Sequence, residues 1–174
     1  YIRSDEFMGP MITGGHQERG LRAGTENVLG IAGLGVAAEH AQDLLPDMER
    51  VRRLRDRMEE GIVELVPEAR LNGHVEHRLP NTLNLTLPDI RGESLAIALD
   101  EHGIAISSGS ACRTGQTDPS HALLAMGMSE DDAHCSIRIS LGHVNTEEDV
   151  ERALEVFRGV INNQSGVLRF VSCR

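Results

Sequence analysis

Cys112 closes the run Ser107-Ser108-Gly109-Ser110-Ala111, directly after the apolar stretch Gly103-Ile104-Ala105-Ile106. Small residues of this kind do not build a core, but they let a backbone bend and a thiol swing out of it. A structural cysteine usually sits among Leu, Ile and Val, where the thiol stays protonated and inert. Here Arg113, Thr114 and Gly115 follow, a polar and partly cationic setting that favours the nucleophilic thiolate. Composition leaves two readings open: a reactive nucleophile, or an unremarkable loop thiol. Arg138 alternates with Ile137 and Ile139, so it points to the opposite face of a strand, where a guanidinium can grip a carboxylate with two parallel hydrogen bonds. The competing reading is a surface arginine on a solvent-facing strand. Gly14 to Thr25 is a possible anion cradle, with Arg19, Arg22 and the Thr25 hydroxyl ahead of a helix start, although many such loops are only turns. His121, His134 and Cys135, taken with Cys112, match no compact zinc spacing, and the neighbours His134 and Cys135 diverge, so no metal site is expected.

These residues have to be positioned by a chain of 174 residues, enough for one ordinary domain or a small domain plus part of another. The net charge of −10 is spread along the chain, which argues against nucleic acid as a main partner. No apolar run approaches the ~20 residues of a membrane span, and no leader is visible. Three cysteines make no disulfide framework, so a reducing, cytoplasmic setting is expected. All 17 basic residues are arginines. A genome that favours arginine codons is the plain explanation, but the chemical consequence stands: no lysine of this chain can form a Schiff base.

The pattern predicts a strand at Tyr1-Ile2-Arg3, a loop through Thr13–Gly20, and a helix from Ile31 with a cap among Thr25 to Asn27. Leu44, Met48, Val51, Leu54, Met58, Ile62 and Leu65 form a helical stripe, with Arg and Glu on the other face. Pro46 should kink or divide it, with Asp43 available as a new N-cap. From about residue 68 the character becomes α+β. Strands are predicted at Thr82–Leu87, Ile104–Ile106 and Ile137–Leu141, and a helix at Gly92–His102 ended by Gly103. Asp118-Pro119-Ser120 should open a short helix closed by Gly127, with Asp as cap and Pro first in the helix. Ser129 and Asp132 read as a capping pair. Thr146-x-x-Asp149 should start an amphipathic helix that buries Val150, Leu154, Phe157 and Ile161.

Four segments occur in order: Thr13-Gly-Gly-His-Gln-Glu-Arg-Gly-Leu-Arg-Ala-Gly-Thr-Glu-Asn27, Leu79-Pro-Asn-Thr-Leu-Asn-Leu85, Ile106-Ser-Ser-Gly-Ser-Ala-Cys112 and Ser136-Ile-Arg-Ile-Ser-Leu141. Together they resemble the pyridoxal-phosphate-dependent cysteine desulfurases of iron–sulfur cluster assembly, in the class V aminotransferase superfamily. The stretch from Cys112 to Asp118-Pro119-Ser120-His121 is similar to the long-loop group. The resemblance runs to about residue 161 and implies the C-terminal small domain of a fold-type I enzyme plus the end of its large α/β domain. The implied division is 1–35 for the end of the large domain, 36–67 for a connecting helix, and 68–174 for the small domain. It further implies that Cys112 attacks the sulfur of an L-cysteine held as a pyridoxal adduct, leaving L-alanine and a Cys112 persulfide. Arg138 would hold the substrate carboxylate, and Thr25 would reach the pyridoxal 5′-phosphate of the partner subunit in a homodimer. Arg19 and Arg22 would line the site mouth or a docking surface. The expected partner is an iron–sulfur scaffold or another sulfur acceptor protein.

The family's Schiff-base lysine, its aspartate at the pyridine nitrogen and its ring-stacking histidine lie upstream of what matches Tyr1. The absent lysine and the absent initiator methionine therefore read as marks of the C-terminal portion of a longer enzyme, inactive alone. His16 stands where the family usually has a third glycine, and Arg113 where a small hydroxyl residue is common. Asn162 to Arg174, with Cys173, lies outside the match and reads as irregular. Two alternatives stay open: a cofactor-free persulfide relay or scaffold-docking module, and a relative acting as a selenocysteine lyase.

Overall fold

The computed structural model describes residues 9–108 and 119–163. The chain divides into two compact units, Tyr1–Leu45 and Pro46–Arg174. The strand expected at Tyr1-Ile2-Arg3 lies outside the described residues.

In the first unit, Ile12 and Arg22 form a parallel bridge, and the Ala23 amide donates to the Ile12 carbonyl at 3.1 Å. Between them the glycine-rich run makes a tight turn over Gln17–Gly20, within the expected loop. The turn closes because Glu18 and Arg19 take positive φ, 51° and 58°. Helix α1, Val28–Leu44, starts within the expected cap region: the Asn27 side chain accepts from the Gly30 amide at 3.1 Å. No residue of α1 is buried.

In the second unit, helix α2 is Met48–Leu65, set off from α1 by a 3-10 turn over Leu45–Asp47. Pro46 does divide the pattern, but the division falls at the proline, which has no N–H to offer the helix. Asp43 stays in the last turn of α1, and Asp47 takes the cap position. Its carboxylate does not cap the backbone; both oxygens accept from Arg50, each at 2.9 Å. The stripe Val51, Leu54, Met58 and Ile62 is buried as expected. Arg55 is buried beside it rather than facing solvent, because its Nη1 donates to the Leu79 carbonyl at 2.9 Å and its Nε to Asp56.

A four-stranded antiparallel sheet packs on α2, with strand order β1-β2-β4-β3. Its strands are β1 Arg70–Leu71, β2 Thr82–Thr86, β3 Ser107–Ser108 and β4 Ser136–Ser140. Helix α3, Gly92–Asp100, is followed by a turn that reaches positive φ at Gly103 (+76°), and helix α6, Glu147–Asn163, packs against α2 and α3. Period-two alternation decides the layers: Leu83, Leu85, Ile137 and Ile139 enter one core with Leu95, Leu99, Leu154 and Phe157, while Asn84 and Arg138 share the other face. The α6 capping box forms as expected, Thr146 N to Asp149 Oδ2 at 3.0 Å and Asp149 N to Thr146 Oγ1 at 3.2 Å. Its buried face is Val150, Ala153, Leu154, Phe157 and Val160, with Ile161 at the margin.

Two expected elements move. Ile104–Ile106 is not strand: the Ile104 amide still caps α3 by donating to the Leu99 carbonyl at 3.0 Å, and pairing begins only where Ser107 meets Arg138. The short helix α4 is His121–Ala125, with Ser120 as its N-cap rather than Asp118. Pro119 thus precedes the cap. Helix α5, Glu130–His134, starts at the expected Ser129, whose hydroxyl accepts from the Asp132 amide at 3.1 Å.

Candidate functional site

The face of the sheet opposite the core is polar, and Arg138 lies in its middle. On β4 it pairs across to Asn84 of β2 and to Ser107 of β3. Arg138 is exposed, and it makes no hydrogen bond or ion pair among the described residues. The rows on either side are Thr86 with Ser136 and Thr82 with Ser140, so its neighbours on β2 and β4 are neutral. An unpaired guanidinium among neutral side chains is available to an anion from outside.

One end of this face is sealed by a buried hydrogen-bond file. Ser136 Oγ donates to the Asp132 carbonyl at 2.7 Å, and Asn72 Nδ2 donates to Ser136 Oγ at 3.2 Å and to Asn84 Oδ1 at 2.7 Å. The Thr86 hydroxyl donates to Asn72 Oδ1 at 3.0 Å and lies 2.9 Å from Ser136 Oγ, where either hydroxyl can be the donor. Thr86 and Ser136 are each 1% exposed, so these partners are obligatory. The Asp132 carboxylate is meanwhile paired with Arg70. Sequence reading missed Asn72 and the file because β1 is two residues long and its partners are distant in the chain.

Cys112 lies outside the described residues, as does Arg113; β3 ends at Ser108, four positions before Cys112. Thr25 belongs to the first unit. Its side chain is exposed and makes no hydrogen bond among the described residues, while its carbonyl accepts from Arg22 Nη1 at 2.8 Å. Arg22 also holds the Gly24 carbonyl at 2.9 Å, and Gln17 Oε1 accepts from the Gly24 amide at 3.2 Å. Arg22 is thus a brace for the loop ahead of α1 rather than a free cation, whereas Arg19 is exposed and makes no such bond. His121 begins α4, while His134 ends α5 beside the buried Cys135. No helix of the described residues is long and apolar enough to cross a membrane.

An antiparallel sheet backed by α2, α3 and α6, with an open guanidinium on the face away from them, makes this unit a small α+β domain. The aminotransferase class-V family matches residues 3–153, and the chain belongs to that family. Within it the chain is similar to proteins named cysteine desulfurase. One from Gluconacetobacter diazotrophicus is 49% identical over 162 residues, covering 92% of this chain and 40% of the relative. One from Archaeoglobus fulgidus, named cysteine desulfurase IscS 1, is 46% identical over 162 residues, covering 92% of this chain and 42% of the relative. A solved NifS-like protein superposes with a TM-score of 0.79 at 37% identity, over 94% of this chain and 41% of that one. The chain therefore spans about two-fifths of the length of these relatives.

The residues present fit part of a pyridoxal 5′-phosphate group. The unpartnered Thr25 hydroxyl, on a braced loop just ahead of the α1 amides, has the chemistry of a phosphate contact. With no lysine in the chain, nothing here matches the aldehyde carbon.

Proposed function

We propose that this chain is the C-terminal part of a pyridoxal-phosphate-dependent cysteine desulfurase that takes sulfur from L-cysteine onto Cys112 and leaves L-alanine. The observation that carries this reading is the pairing of Ser107 with Arg138. It sets β3, the strand that precedes Cys112 in the sequence, beside a guanidinium on this face that has no partner among the described residues. Cys112 follows Ser108 by four positions in the sequence. The names of the relatives support the desulfurase over a relay module or a selenocysteine lyase.

In this reading Arg138 binds and orients the substrate carboxylate, presenting the substrate sulfur to the loop thiol. The Cys112 thiolate attacks that sulfur, an S–S bond forms as the substrate C–S bond breaks, and the carbon keeps the electron pair and takes up a proton. The products are a Cys112 persulfide and L-alanine, and the persulfide passes sulfur to an acceptor protein such as an iron–sulfur scaffold. Thr25 holds a phosphate oxygen of the cofactor bound by the partner subunit of a homodimer. The cofactor, when bound, supplies the electron sink that lets the substrate C–S bond break. A lysine from outside residues 1–174 must anchor it, so these residues alone are inactive, and the complete protein works in the cytoplasm.

The test is alanine release from L-cysteine by the full-length natural protein loaded with pyridoxal phosphate. Activity should be present, should fall to background in Cys112→Ala, and should lose L-cysteine affinity in Arg138→Ala. Full activity after Cys112→Ala would overturn the reading.

A further inference from the structure

The row that holds Arg138 contains more donors than the arginine. Asn84 and Ser107 are its Cα partners on either side, and directly opposed residues of an antiparallel ladder share a face with Cβ atoms about 5 Å apart. Asn84 uses its Oδ1 to accept from Asn72 Nδ2 at 2.7 Å, and its own NH2 group has no acceptor among the described residues. Ser107 Oγ is buried and has no hydrogen-bond partner among the described residues. A buried hydroxyl without a partner is costly and rare in a native fold, so it calls for a ligand or a role. Three neighbouring groups can thus all donate, and the flanking β2–β4 pairs contain hydroxyls but no carboxylate.

We propose that Asn84 and Ser107 are binding residues that flank Arg138 and complete a three-donor cradle for the substrate carboxylate. This rests on the reading of Arg138 given above. A carboxylate has two oxygens with about four acceptor sites. The guanidinium fork takes one site on each oxygen, and the Asn84 NH2 and the Ser107 hydroxyl take one more from either side. Asn72, Thr86 and Ser136 are then positioning residues: they fix the Asn84 amide so that its donor edge, not its carbonyl, faces the anion. The cradle selects amino acids that keep a free α-carboxylate over amines that lack one.

The experiment measures inhibition constants of L-alanine and of ethylamine, which lacks the carboxylate, in the full-length holoenzyme. Ser107→Ala should weaken L-alanine by about tenfold or more, the usual effect of one hydrogen bond to a charged group, and leave ethylamine unchanged. Ser107→Thr, which keeps the hydroxyl, should restore most of the loss. Asn84→Asp keeps the oxygen that accepts from Asn72 but replaces the donor with a negative charge, so it should weaken L-alanine further with ethylamine unchanged. Equal weakening of both ligands, or of neither, overturns the proposal. Arg138→Ala separates the two claims. If it alone changes the alanine-to-ethylamine ratio, the arginine reading stands and the three-donor cradle fails; if it leaves the ratio unchanged, the carboxylate reading itself fails.

Discussion

Adding one methyl group at Gly92 tests how tightly the sheet that holds Arg138 is clamped. A Cβ built on Gly92, the first residue of α3, falls 2.5 Å from the Ser136 carbonyl oxygen and 3.3 Å from Ile137 Cγ2. Ordinary contact begins near 3.4 Å, so the methyl group intrudes by about 0.9 Å on main chain rather than on a flexible side chain. Neither partner yields easily. β4 is held to β2 from Thr82↔Ser140 to Thr86↔Ser136, and α3 is locked by Leu95 and Leu99, both fully buried. Overpacking of this kind costs about 1–3 kcal/mol, and alanine's better helix propensity returns less than about 1. A net loss near 2 kcal/mol should lower the urea midpoint of helix content by about 1 M, for a slope of about 2 kcal/mol per molar. Gly159 of α6 is the internal control. Nothing lies within 4 Å of its Cβ position, so Gly159→Ala should stabilise by about 0.5–1 kcal/mol. The same substitution is expected to have opposite signs at the two glycines. Midpoints that shift together, or a Gly92→Ala chain as stable as the parent, would refute the reasoning.

Three other outcomes follow from single contacts. The Arg50 hydrogen bond, partly opposed by burial and aided by charge, holds the Asp47 carboxyl below its ordinary range. A lowered folded value stabilises above the unfolded one, so the contribution is complete above about pH 4 and is lost as pH falls below it. The stability gap between the parent and Arg50→Gln should therefore narrow in urea titrations taken from about pH 5 to about pH 3; a constant gap contradicts the assignment. Thr86→Val removes the hydroxyl that bonds both Asn72 and Ser136 in a buried site, and should cost about 1–3 kcal/mol by the same measurement. Thr146→Ala opens the α6 capping box and should cost about 1 kcal/mol, seen as lost protection of the first-turn amides in hydrogen exchange.

What the sequence made legible is what local physics decides. The Asn27, Ser129 and Thr146 caps, the α2 and α6 stripes and the β4 alternation each rest on residues a few positions apart, and each is present. Arg138 on the face opposite Ile137 and Ile139 was readable for the same reason. Errors arose where a distant partner decides. Ile104–Ile106 has strand-like composition, yet the strand is Ser107–Ser108, because only there does the chain come alongside β4. Asp43 looked like a cap, but Pro46 set the break and Asp47 found Arg50 instead. Asn84 and Ser107 as neighbours of Arg138 follow from register across three strands, which periodicity along one strand does not contain.

The central claim is that Cys112 receives the sulfur, and its most direct test is mass analysis of the full-length holoenzyme after a brief exposure to L-cysteine without reductant. The account predicts the mass of one extra sulfur atom on the peptide containing Cys112, lost on reduction and absent in Cys112→Ser. Alanine released at the normal rate with no added sulfur on Cys112 would contradict it.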